Sequence, residues 1–208
     1  SVPSPLARRV LMPSRFAGVS AFDGQKLCGE IIRDRILKVY PFPITCSLIE
    51  AEVRAVVTDE EPENRARYEA AARAMFQLPN VQAASHVYAH PYVWIDNDLE
   101  YIPLYDERML ELAPSENSEE PDPEREIAGS IRYIQTLLPE GKKCDLMLWS
   151  GNCRPGNDAL AVCERLGIEN LNGGNTVVTR EHPSITNVAP RLMQWGSDRL
   201  QVHTSMQN

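Results

Sequence analysis

The sequence predicts an α/β fold in which one domain carries a largely parallel sheet flanked by helices. Two patterns lead there. Short apolar, β-branched runs alternate with longer segments whose apolar residues recur at helical spacing, and glycine, proline or aspartate marks most junctions between them. Size agrees, because 208 residues with 43% hydrophobic and 24% charged side chains suffice for one well-buried core.

The first strand is expected in "RVLMPSRFAG", ending at the turn signal "FDG". A helix follows over "QKLCGEIIRDRILKVY", with Leu27, Ile31, Ile32 and Ile36 on one face, until Pro41 and Pro43 stop it. "ITCSLIEAEV" (44–53) reads as a buried strand. The clearest helix is "PENRARYEAAARAMFQLP" (62–79), with Tyr68, Ala72, Met75 and Phe76 as its apolar stripe. "VQAASHVYAH" reads as a strand running into a loop, and a connection of about thirty residues follows, a length usual for a functional or disordered segment. From Glu124 the chain reads as helical, with Ile127, Ile131, Ile134 and Leu138 aligned; "CDLMLWSG" reads as a strand, "GNDALAVCERLG" as a helix closed by Gly167, and "IENLNGG" as a last strand and turn.

Charge and composition narrow the function. A net charge of −8 argues against nucleic acid or an anionic membrane as partner, since phosphate binding needs clustered Lys and Arg. Part of that excess is local: "APSENSEEPDPERE" (113–126) holds six acids against one base and reads as a solvated loop. No apolar run reaches the roughly 18 to 20 residues of a bilayer span, and "SVPSPLARRV" lacks the apolar core of a signal peptide. A start at Ser1 fits a processed or excised segment, one domain over 1–208 of a longer chain. The five cysteines form no C-x-x-C pair and read as buried thiols with at most one bridge.

Side chains suited to chemistry gather at the carboxyl ends of the expected strands, where such folds place their sites. His86 and His90 in "ASHVYAHP" stand four apart: about 6 Å on a helix, about 13 Å in an extended strand. Pro91 forbids a helix continuing past His90, so joint metal ligation requires the strand to end near His86 and make one turn. The other reading is a packing pair at a strand end. Asp23 in "AFDGQ" is either a turn former or a carboxylate on the same rim, and with both histidines it makes a His/carboxylate set suited to activating water. Asn152 and Arg154 in "SGNCRPG" and Asn175 in "NGGN" offer hydrogen bonds to a sugar or acetyl group or are plain turn chemistry, and Trp149 offers a face on which a sugar stacks or packs in the core.

The order of these motifs, D-G after strand one, "SHVYAHP", "REIAGSIRYI", "LMLWSGNCRPG" and "LGIENLNGGN", resembles the deacetylase domain of PelA-type exopolysaccharide modification proteins, related to the NodB-type polysaccharide deacetylases. The likeness runs from about Arg9 to Asn208. It implies a (β/α) barrel, here incomplete or distorted, in the periplasm or secreted. Such a domain removes N-acetyl groups from an N-acetylhexosamine polymer of the biofilm matrix, alongside other exopolysaccharide secretion proteins. It also implies a divalent metal, zinc or alternatively cobalt or nickel, held by an aspartate and two histidines. Carried over, His86 and His90 match the metal histidines and Asp23 the general base, while Gln25 stands where the metal aspartate belongs. A glutamine carbonyl holds zinc more weakly than a carboxylate, so the same resemblance also allows a catalytically impaired domain that binds polysaccharide or acts as a scaffold.

Overall fold

The computed structural model describes residues 10–12, 19–20, 23–56, 64–91, 94, 122–151, 153, 155–171, 180, 191–193 and 201–203. The strands are β1 (Val10–Met12), β2 (Val19–Ser20), β3 (Asp23–Leu27), β4 (Ile44–Leu48), β5 (Val81–Ser85), β6 (Cys144–Leu148), β7 (Glu169–Leu171), β8 (Arg191–Met193) and β9 (Gln201–His203). Helix α1 (Cys28–Ile32) continues as a π-helical turn over Arg33–Leu37, followed by α2 (Glu50–Val53) and α3 (Arg65–Phe76). A second π-helical segment, Glu124–Gly129, runs into α4 (Ser130–Gln135), and α5 is Asn157–Leu166.

The protein is α/β with a largely parallel sheet. Strands β1, β4, β5, β6, β7 and β9 lie side by side in that order, all parallel, and β8 joins β9 antiparallel at the edge. The parallel strands follow the chain without reversal, and only β8 stands out of sequence order. Ile44, Cys46 and Leu48 register with the Val81 and Ala83 side of β5 and pack on Tyr68, Ala72, Met75 and Phe76 of α3 and on Ile134. The alternate residues face the other way: Ala84, Leu146, Leu148 and Leu171 form a separate apolar cluster, and buried Thr45 donates its hydroxyl to Gln82 Oε1 at 2.9 Å. Strands covered on both faces are what a parallel sheet requires. Each fully buried Leu, Ile or Phe contributes roughly 1.5–3 kcal/mol.

Several expectations need correction. Asp23 does not sit in a turn after the first strand; it opens β3, which pairs antiparallel with β2, Ser20 opposite Asp23. The helix therefore starts at Cys28 instead of Gln25, where the Leu27 amide donates to Glu30 Oε2 at 2.8 Å and closes its first turn. The strand expected over 44–53 stops at Leu48, and α2 follows with Glu50 and Glu52 buried. Both π-helical turns shift the buried stripe, because each adds a residue per turn. Leu37 is 1% exposed where Ile36, at 36%, was expected inside. Likewise Glu126, Ser130 and Leu137 are buried, while Ile131 and Leu138 are only partly covered. Glu126 thus leaves the solvated acidic loop expected over 113–126. All five cysteines are free, with no bridge; burial pushes the thiols of Cys46, Cys144, Cys153 and Cys163 up to about 12.

Two termini are secured by chemistry. Gly167 adopts φ +63° and ends α5, with the Ile168 amide donating to Cys163 O at 3.1 Å, a left-handed cap that glycine takes without strain. The Lys142 ammonium donates to the carbonyls of Phe76, Leu78 and Val81 at 2.5, 2.9 and 2.8 Å, joining the end of α3 and the start of β5 to the turn before β6. Hydrogen bonds from a charged donor are worth about 1.5–3 kcal/mol each before desolvation of the ammonium is subtracted. Lys142→Met is therefore expected to lower unfolding free energy by about 2–3 kcal/mol in urea titrations. A loss below about 0.5 kcal/mol would show that water replaces the ammonium without penalty.

Candidate functional site: a histidine pair at the carboxyl edge of the sheet

His86 directly follows β5. Its amide donates to Leu48 O at 2.8 Å, extending the β4 ladder by one residue. Its Nδ1 lies 2.9 Å from Leu148 O at the end of β6. A carbonyl only accepts, so Nδ1 carries the proton and Nε2 of the neutral ring presents a lone pair. Neutrality is enforced chiefly by burial and then by the neighbouring His90, which together bring the His86 pKa down to about 3.

His90 Nε2 stands 3.1 Å from His86 Nε2, with ring centroids 4.7 Å apart at 67°. The chain achieves this by turning sharply within four residues, with Val87 at φ +65° and His90 at φ +58°. Positive φ at such residues costs about 1–3 kcal/mol each. The neighbouring helix offsets it. Glu126 Oε2 accepts the amides of both Tyr88 and Ala89 at 2.9 Å. Ser85 Oγ accepts the Val87 amide at 3.0 Å and shares a 2.8 Å hydrogen bond with Ser130 Oγ, which also donates to Val87 O at 3.1 Å. On the other side Glu50 and Ala51 donate their amides to Val87 O and Tyr88 O at 3.1 and 2.9 Å. Ser150 Oγ donates to Pro91 O at 2.6 Å, tying this loop to the one after β6.

Glu126 is 1% exposed, and burial raises its pKa from 4.5 to about 7 against the lowering pull of the two amides. Its neighbour Arg125 turns outward, making a two-pronged ion pair with Glu50 at 2.9 Å on each arm and resting 3.5 Å over the Tyr88 ring. Helix residues 125, 126 and 130 thus hold the histidine loop from below and from the side.

Among the residues expected at the site, the structure brings His86 and His90 together. Trp149 is fully buried, edge-on to Trp94 with centroids 5.0 Å apart, and its indole N–H donates to Asn170 Oδ1 at 3.0 Å. It packs in the core and presents no face for a sugar to stack on. The backbone of Asp23 lies in β3; the side chains of Asp23 and Gln25, and all of Asn152, Arg154 and Asn175, lie outside the described residues. The sequence reading missed Glu126 and Ser130. Their signal was the spacing of four, which puts two polar residues on one side of a helix.

The pair fits a metal as two ligands. Zinc bonds to imidazole nitrogen at about 2.0–2.1 Å, so two nitrogens 3.1 Å apart can reach one ion. The Nδ1–H of His86 on a carbonyl is the outer hydrogen bond that metal-bound histidines use to fix their tautomer. Among the described residues no group of three or more His, Cys, Asp or Glu is placed to hold an ion.

The fold is thus an α/β one with a histidine pair on the carboxyl edge of its parallel sheet. No family model matches the chain, and no curated protein matches it. Among solved structures it is similar to the 4-alpha-glucanotransferase from Thermococcus litoralis, at 12% identity and a TM-score of 0.48, over 83% of this chain. The chain spans 22% of that protein's length. Among the described residues no helix is long and apolar enough to cross a membrane.

Two outcomes test this loop. Glu126→Ala, which strands two amides, should cost about 2–4 kcal/mol in urea unfolding, whereas Glu126→Gln keeps an acceptor oxygen and should cost far less. Equal losses would show that the amides find other partners. The pH dependence has a worked sign: unfolded His86 gains a proton below about 6.5 and folded His86 only near 3, so its stabilisation is full above 6.5 and falls as pH drops through that window. Glu126 acts oppositely, its contribution full below 4.5 and lost as pH rises through about 7. Unfolding at pH 7.5 and 5 should show wild type losing more stability on acidification than His86→Gln; parallel behaviour would mean that the buried ring takes its proton without penalty.

Proposed function

We propose that the protein is a polysaccharide-deacetylase-like domain that hydrolyses N-acetyl groups of an N-acetylhexosamine exopolysaccharide in a biofilm matrix. The observation that carries this reading is the His86–His90 pair, with Nε2 atoms 3.1 Å apart and the His86 tautomer held by Leu148 O. The strand order supports it, since parallel strands laid down in chain order are wound as in a (β/α) barrel, without the reversal of doubly wound sheets. The motif order of the PelA-type and NodB-type deacetylases supports it too. The same resemblance suggests a periplasmic or secreted setting and secretion proteins as partners.

Zinc, cobalt or nickel, when bound, would lower the pKa of a water and polarise the acetyl carbonyl. His86 and His90 would hold it through Nε2, Asp23 would accept the proton of the attacking water, and Glu126 keeps the histidine loop in its bent form. A second reading starts from Gln25, a neutral amide where the family has its metal aspartate: the domain then binds the polymer, or scaffolds other proteins, without cleaving it.

Cobalt binding followed by visible absorption, together with acetate release from a partly N-acetylated glucosamine polymer, tests both. Saturable cobalt binding with acetate release, each reduced about 100-fold or more by His86→Ala or His90→Ala, is the expected result. No binding of zinc, cobalt or nickel at micromolar concentration overturns the metal-dependent reading. Gain of metal affinity and activity only in Gln25→Asp favours the impaired domain.

A further inference from the structure

On the helical side of the sheet, between α2, α3 and the helix over 124–135, lies an open cleft of about 610 Å3 lined by five arginines: Arg54, Arg65, Arg73, Arg125 and Arg132. Only two carboxylates line it, Glu50 and Glu69, which leaves three positive charges in excess on a protein whose net charge is −8. Both carboxylates are already committed. Glu50 takes both arms of Arg125 at 2.9 Å and lies 2.6 Å from Arg54 Nε. Glu69 accepts from Arg65 Nε at 2.9 Å and from the Tyr133 hydroxyl at 3.0 Å.

Arg54 and Arg65 engage these carboxylates through Nε, and the Arg54 guanidinium lies 4.2 Å over the Tyr133 ring, which holds its plane. Arg73 donates one N–H to Thr136 O at 2.6 Å and, like Arg132, has no ion pair with a described carboxylate; both are exposed. Gly129 lets Arg125 lie against its own helix, since a Cβ there would come within 2.6 Å of Arg125 Nη1. Guanidinium forks arriving from three helices match the several acceptor oxygens of one phosphate better than the two of a carboxylate.

We propose that this cleft binds a phosphate group, either as the free anion or as an ester on a larger molecule. None of its lining residues belongs to the histidine pair, so the proposal is independent of the hydrolytic reading.

Isothermal titration with inorganic phosphate and with glucosamine 6-phosphate tests it on the whole protein. Saturable one-to-one binding is expected, weakening as salt rises. The double variant Arg73→Gln with Arg132→Gln, at two exposed positions, should bind about tenfold more weakly or worse while its circular dichroism is unchanged. Equal affinity for both probes supports the free anion as occupant, and tighter binding of the sugar phosphate supports the ester. Absence of saturable heat up to about 10 mM of either probe, or undiminished binding by the double variant, overturns the proposal.

Discussion

A buried carboxyl on a helix does for residues 87–90 what an adjacent strand does for the rest of β5. Once the chain leaves the ladder after His86, its amides enter a dry environment with no strand to join, and an unpaired buried amide costs about 1–3 kcal/mol. Glu126 accepts two of them and Ser85 a third, while Ser130 holds the Val87 carbonyl. This contact makes a left-handed turn possible at a valine, and the turn is what converts a spacing of four residues into two imidazoles at hydrogen-bond distance. Without it the relaxed backbone would run on as a strand and carry the two rings apart.

The frame around the loop is stiff for related reasons. His86 is pinned at three points, by its own amide on β4, by Nδ1 on β6 and by His90, so its ring cannot rotate without breaking bonds in a buried setting. Arg125 and Glu126 are consecutive and share the loop between them: Arg125 lines the arginine cleft and covers the Tyr88 ring, while Glu126 takes the loop's amides. The π-helical turn makes this possible, because it brings a third polar residue, Ser130, under the same loop as Glu126 while leaving Ile127 and Ala128 in the core.

Much of this architecture was legible in the residues. The stripe of Tyr68, Ala72, Met75 and Phe76 lies inside as its spacing implied, and Gly167 caps α5. The strand-then-helix alternation gave the class. Pro91 narrowed the two ways the histidines could meet to one, a strand end and a single turn. What escaped were features without a period. Ile36 and Leu37 exchange roles because a π-helical turn leaves no mark in hydropathy. Glu50 looked like part of a strand because "ITCSLIEAEV" is apolar enough for either element, and its pairing with Arg54 and with Arg125, the latter 75 positions away, explains why a carboxylate is tolerated there. Glu126 was hidden among five other acids that composition assigns to water.

Lys142 has a consequence for how the domain could change over time. By binding the end of α3 and the start of β5 to the turn before β6, it ties two central strands together at one end, while Glu126 and Ser130 hold the carboxyl end of β5 and the loop after it. The roughly thirty residues joining Pro91 to Asp122 are then attached at two clamped points. Lengthening a connection between fixed ends is cheap, about 0.6 kcal/mol for each doubling. Insertions or exchanges in that stretch are therefore cheap, while the spacing of the two rings is inherited unchanged.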